Sequence, residues 1–226
     1  MKKMGKSKQG MVILAIMVVL LAAACGNNGQ PAASSGQTGD GSAPEPSFYA
    51  TSVFLGDSIT EGLSYHDVLD VENVLAGAGK TAHIALETGD VDELVSRMPE
   101  HVYIQLGSDD ILWPTDDPVA YSLSHYAQLI EEIHKQLPDA SITLLSVTPV
   151  TAEAEEAEPR YGNIAEYNER LKALAAEKQV EFIDLSPLVA DHADLYDTDG
   201  IHFQAEFYPL LLGYLQESSN LPQRVK

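Results

Sequence analysis

The chain has 226 residues, with 13 Lys+Arg against 34 Asp+Glu and a formal net charge of -21. A field of that sign repels nucleic acid, anionic headgroups and phosphate-rich polymers, which excludes a nucleic-acid-binding role and favours neutral or cationic ligands. A single cysteine excludes a disulfide framework, so the fold must rest on its core; the roughly 180 residues that follow Cys25 suffice for one domain.

Lys2, Lys3, Lys6 and Lys8 precede an apolar run from Met11 to Ala24 that ends in Ala22-Ala23-Ala24 and Cys25. A basic segment, a short apolar segment and a small-residue cut site read as a secretory signal, too short to cross a bilayer comfortably. Leu21-Ala22-Ala23-Ala24-Cys25 resembles the lipobox of bacterial lipoproteins, although Ala22 stands where the usual pattern has leucine. The resemblance implies removal of residues 1–24 and diacylation of Cys25, for instance with palmitate, as the mature N-terminus. The protein would then be exported and held on the outer side of the membrane by a lipid anchor. A plain signal peptide with a cysteine near its cut is the alternative. Losing four lysines leaves nine basic residues against 34 acidic ones, a net charge of -25. Residues 25–47, mainly Gly, Asn, Gln, Ala, Ser and Pro, have no apolar periodicity and read as a flexible tether about 25 Å in mean span. Residues 48–220 form the expected folded domain, and 221–226 a short tail.

Within that domain, short apolar runs alternate with helical stripes. Strands are predicted at 52–55, 71–75, 101–106, 141–147 and 180–185. Helices are predicted from Ile59 to Tyr65, at 91–98, at 124–137 before Pro138, at 164–179 and at 203–218. Alternation of this kind predicts a three-layer α/β/α domain around a mostly parallel five-stranded sheet, flavodoxin-like in outline. Ligands of such sheets bind beyond the carboxyl ends of the strands. Gly56-Asp57-Ser58, Gly107-Ser108-Asp109-Asp110 and Pro149 all follow predicted strands, so they can share one rim.

Ser58 follows the apolar run Val53-Phe54-Leu55 at a strand-to-helix turn, where a hydroxyl can be presented beside backbone N–H groups. A serine nucleophile needs a base, and the base needs an orienting group. Asp199-Gly200-Ile201-His202 supplies an acid three residues before a histidine, in a loop between the last strand and the last helix. His66 is near enough in sequence to line the same pocket, and Tyr65, Trp113 and Tyr161 are candidates to wall it. The acidic run from Glu153 to Glu158 reads as a solvated face. No set of histidines and carboxylates has the spacing of a strong zinc site, and no cofactor is expected.

Together, Phe54-Leu55-Gly56-Asp57-Ser58-Ile59-Thr60-Glu61-Gly62 and Asp199-Gly200-Ile201-His202 resemble the SGNH, or GDSL-type, hydrolase family. The resemblance implies Ser58 as nucleophile, His202 as base and Asp199 as its orienter. It also implies an oxyanion hole from the N–H groups of Ser58 and a glycine, here Gly79 ahead of Gly77, and from residue 109. The family has asparagine there, whereas this chain has Asp109. An ionised carboxylate has no donor and repels an oxyanion. Asp109 could carry a proton, the N–H groups with the Ser108 hydroxyl could suffice alone, or the site could be slow or dead. The implied substrate is a small ester or an acylated carbohydrate, with acyl transfer to a sugar as a variant. The chain is read as a monomer. A catalytically inactive lipoprotein that binds cell-wall glycan is the rival reading. A cation site of Asp57, Asp109, Asp110 and Asp199 is the third.

Overall fold

The computed structural model of the protein describes residues 46–220. The expected leader, Cys25 with its lipid, the tether before residue 46 and the tail at 221–226 lie outside the described residues.

Five strands form one fully parallel sheet: β1 (Ser52–Gly56), β2 (Val74–Ala76), β3 (His101–Gln105), β4 (Ser141–Leu145) and β5 (Glu181–Ile183), in the order β2-β1-β3-β4-β5. Every pairing is parallel, with Phe54 opposite Tyr103 and Val74, and Thr143 opposite Glu181. Parallel strands are buried on both faces, and these read that way. Val53, Leu55, Val102, Ile104, Ile142 and Leu144 face one core, while Phe54, Tyr103, Leu145 and Ile183 face the other.

On the first face lie α2 (Ala82–Glu87), α3 (Asp90–Ser96), α4 (Pro118–Gln136) and α6 (Ile164–Lys178), the last two contributing Tyr126, Leu129, Ile130, Ile133, Tyr167 and Leu171. On the second lie α1 (Ser58–Tyr65), α7 (Ser186–Asp191) and α8 (Phe207–Asn220), with Ile59, Leu63, Leu188, Phe207, Leu211 and Leu215. A short α5 (Ala152–Ala157) follows β4. None of the described helices is long and apolar enough to cross a membrane.

Several boundaries differ from the sequence expectation, each for a local reason. Val71–Asn73 is a 3-10 turn with Val71 67% exposed, so β2 begins only at Val74. Helix α4 starts at Pro118 rather than 124, because the Asp117 side chain accepts from the Ala120 N–H and proline suits the first turn. The acidic run lies mostly on α5, capped by Thr151, with Glu153, Glu155 and Glu156 in solvent as expected. The last helix begins at Phe207, not 203. Helices α2 and α7, six residues each, have too few turns to show a stripe.

The order β2-β1-β3 matters most for function. The connections after β1 and β3 leave in opposite directions across the sheet, which opens a crevice at their carboxyl ends. Ser58 follows β1 there, and Asp109 follows β3.

Candidate active site

Ser58 is the first residue of α1 and is half-buried. Asp57 precedes it as the helix cap, Oδ1 accepting from the Ile59 N–H at 3.0 Å. Ser58 Oγ lies 2.9 Å from His202 Nε2. On the far side of the ring, His202 Nδ1 is 2.5 Å from Asp199 Oδ2, while Asp199 Oδ1 accepts from the backbone N–H groups of Ile201 and His202, both at 2.9 Å. The carboxylate is thus tied to its own loop, and it in turn fixes the imidazole. That loop is held at a second point, where the Thr151 N–H donates to Gly200 O at 2.9 Å. Burial pushes the Asp199 carboxyl up, but hydrogen bonds from the His202 side chain, its N–H and the Ile201 N–H outweigh this and hold it below the ordinary value. The His202 and Asp199 side chains are 40% and 45% exposed, so a ligand reaches them from solvent.

Between β2 and α2 the chain turns through Gly77-Ala78-Gly79-Lys80, closed by the Lys80 N–H on Gly77 O at 3.2 Å. Gly79 has φ +77, as the third residue of a type II turn requires. The Gly77 N–H is already given to Gly56 O at 3.2 Å, which removes Gly77 as an oxyanion donor. The Gly79 N–H instead approaches the Asp109 carboxyl.

The third loop departs from one expectation. The Ser108 hydroxyl donates its single proton to Asp57 Oδ2 at 2.6 Å, so it is not a spare oxyanion donor. Asp110 is a structural acceptor: its Oδ1 takes the Ser122 hydroxyl at 2.6 Å and the Ala82 N–H at 3.1 Å, tying the loop to α4 and to the start of α2. Asp57, Asp109 and Asp110 form a carboxylate cluster. Burial pushes Asp57 up to about 7, against the Ser108 hydrogen bond and with help from Asp109. Burial likewise pushes Asp110 up to about 6, against its bonds from Ser122 and Ala82.

These shifts carry a stability consequence. Asp57 and Asp110 bind their protons more tightly folded than unfolded, so their stabilisation is complete below the ordinary carboxylate range and is lost as pH rises through about 6 and about 7. Urea unfolding should therefore show higher stability at pH 5 than at pH 8. Asp57→Asn should narrow that gap by on the order of 2 kcal/mol. An unchanged gap would show that Asp57 ionises normally in the fold.

Beside the serine lies a pocket of about 260 Å³, lined by Ser58, Glu61, Tyr65, His66, Asp197 and His202 with Phe203 and Tyr208. Tyr65 and His66 therefore sit where expected. Trp113 does not: it stacks on Tyr121 at 6.0 Å, meets His83 edge-on at 5.5 Å, and lines a separate groove with Arg160 and Asn163. Tyr161 is buried and lines a third pocket with Pro149 and Asn168. Asp197 and Tyr208 were not singled out from the sequence. Asp197 lies in an irregular loop, and Tyr208 lies on a helix whose pattern marks it only as core. Among the described residues, no three His, Cys, Asp or Glu, with Asp57, Asp109, Asp110 and Asp199 included, are grouped so that they could hold a metal ion.

Residues 54–210 match the family model described as GDSL-like Lipase/Acylhydrolase family. Solved structures share the fold at low identity. A GDSL-like lipase from Bacteroides thetaiotaomicron is 21% identical, with TM-score 0.62, over 78% of this chain and 90% of that one. A protein described as a putative platelet activating factor, from Streptococcus pneumonia, is 24% identical, with TM-score 0.59, over 74% and 83%. A variant acetylxylan esterase from Geobacillus stearothermophilus is 19% identical, with TM-score 0.56, over 75% and 94%. No curated protein matches the chain.

Proposed function

From the premise that this chain belongs to the GDSL-like lipase/acylhydrolase family, and is by that membership an ester-hydrolysing enzyme, we propose that it cleaves small acyl esters or acylated carbohydrate through Ser58, His202 and Asp199. The observation that carries the reading is the unbroken chain from Ser58 Oγ to His202 Nε2, 2.9 Å, and from His202 Nδ1 to Asp199 Oδ2, 2.5 Å.

In this reading Ser58 Oγ attacks the ester carbonyl and its proton passes to His202 Nε2. The carbonyl oxygen becomes anionic beside the Ser58 and Gly79 N–H groups and residue 109. Asp199 holds the imidazole in the tautomer with Nε2 free and stabilises the imidazolium. Collapse expels the alcohol, which takes the proton from His202, and leaves an acyl group on Ser58. Water, deprotonated by His202, then attacks that acyl group and releases the acid. A sugar hydroxyl entering in place of water gives acyl transfer with the same residues.

Two observations support small or sugar esters over long acyl chains. The pocket beside Ser58 is about 260 Å³, below the usual range for drug-sized ligands, and polar groups of Glu61, Asp197 and Tyr208 share it with aromatic faces. A structural neighbour is an acetylxylan esterase, which makes acylated carbohydrate the first substrate to try. The lipobox-like segment ending at Cys25 supports action outside the cytoplasmic membrane on a lipid anchor.

Hydrolysis of p-nitrophenyl acetate and of acetylated xylo-oligosaccharide by the chain and by Ser58→Ala tests the proposal. Both activities should vanish to background in the variant. Equal rates in the two proteins, or none in either, would contradict it; the latter would favour the glycan-binding reading.

A further inference from the structure

Asp109 stands at the crevice where a hydrogen-bond donor is needed, and its surroundings do not suit a carboxylate. Among the described residues, only Asp109 Oδ2 and Asp110 Oδ2 are buried side-chain polar atoms without a hydrogen-bond partner. Asp110 has two donors on its other oxygen. Among the described residues, the Asp109 carboxyl has only the nearby Gly79 N–H as a donor. An ionised group with one oxygen buried and unpaired loses solvation that nothing replaces, whereas a neutral acid leaves only an unpaired carbonyl oxygen there, a much smaller cost.

Titratable groups face Asp109 from three elements: Asp57 from the turn after β1, Asp110 next in the chain, and Tyr161 from the turn before α6, each pushed up by the Asp109 carboxylate. On Asp109 itself burial acts upward, while the Gly79 N–H, from the loop after β2, and His202, from the loop before α8, act downward. Burial is the largest influence, and the net direction is upward.

We propose that Asp109 works as a neutral carboxylic acid whose O–H donates to the ester oxygen as it becomes anionic, in place of the amide an asparagine would supply. This role rests on the serine-hydrolase reading. The proton stays on Asp109 through both tetrahedral intermediates, with Oδ2 as the buried carbonyl oxygen, so no proton is consumed. An ionised Asp109 does double harm: it repels the oxyanion, and it holds the Gly79 N–H that the oxyanion needs. The working form therefore has a proton on Asp109 and none on His202 Nε2. Activity then has an alkaline limit set by residue 109, a chemistry with precedent in buried carboxylic acids that serve as oxyanion donors.

The test is kcat/KM for p-nitrophenyl acetate against pH, over about pH 5 to 9, for the wild type, Asp109→Asn and Asp109→Ala, with thermal melts to confirm folding. Asp109→Asn, a donor at every pH, should lose the alkaline decline and exceed the wild type by about 10²-fold at the top of the range. Asp109→Ala should lack the alkaline decline and run about 10²–10³-fold below Asp109→Asn throughout. An alkaline decline retained in Asp109→Asn, or a rate below wild type at every pH, overturns the proposal. Fluorophosphonate labelling separates two failures. Label on Ser58 in both wild type and Asp109→Asn, with a shared alkaline decline, overturns the role of Asp109 alone. No label in either overturns the serine-hydrolase reading and this role with it.

Discussion

His202→Ala is expected to lower kcat for p-nitrophenyl acetate hydrolysis by about 10⁴–10⁶-fold without unfolding the chain. The imidazole is the only group hydrogen-bonded to the Ser58 hydroxyl among the described residues, and without it the nucleophile remains a neutral alcohol. The side chain is 40% exposed, so truncation leaves no sealed cavity and the melting temperature should change little. A tenfold loss or less would mean that another base serves Ser58. His66, in the same pocket, would be the next residue to remove.

Gly107→Ala is expected to destabilise the fold by about 3 kcal/mol, the sum of a strained backbone and an overpacked contact. Gly107 has φ +139, a conformation that residues with a Cβ rarely adopt. A methyl group there would lie 2.4 Å from Val147 Cγ2 and 2.7 Å from the Tyr167 ring. The ring cannot swing away easily, because its hydroxyl is paired with Ser122 at 2.8 Å and Ser122 with Asp110. Relief must therefore come from the loop, which carries Ser108 and Asp109 with it, so activity should fall together with stability. Gly77→Ala is the control: nothing lies within 4 Å of its added methyl, and the urea midpoint should stay near the wild-type value. A Gly107→Ala midpoint equal to that of the control would mean that the loop is not braced by the core.

Chemical pattern and periodicity reached some parts of this molecule and missed others. The sheet was legible because parallel strands must be apolar throughout, and Val53-Phe54-Leu55 and Ile142 to Leu145 have no other reading. Ser58, Asp199 and His202 were legible from a turn, a spacing and a resemblance, and the fold brings them together from positions 144 residues apart. The resemblance put Gly79 ahead of Gly77, and the backbone trace adds the physical reason, that the Gly77 N–H is spent on Gly56. The engagement of Ser108 by Asp57 was hidden: it joins loops 51 residues apart, and no local rule pairs them. Trp113 was misplaced because neighbourhood in sequence suggested the pocket. The ring instead follows the 3-10 turn at Asp110–Leu112 away to Tyr121 on α4. A proton on Asp109 was one of three alternatives open from the sequence, because the upward push on its carboxyl comes from burial, which no local pattern reports.

The proposed function requires Ser58 to be an activated nucleophile. It is tested most directly by incubating the folded chain with a fluorophosphonate and reading intact mass and peptide mass, beside Ser58→Ala and His202→Ala. One covalent adduct is expected, located on Ser58, formed slowly or not at all when His202 is removed and absent from Ser58→Ala. A wild-type chain that stays unmodified, or an adduct on another residue, would contradict it.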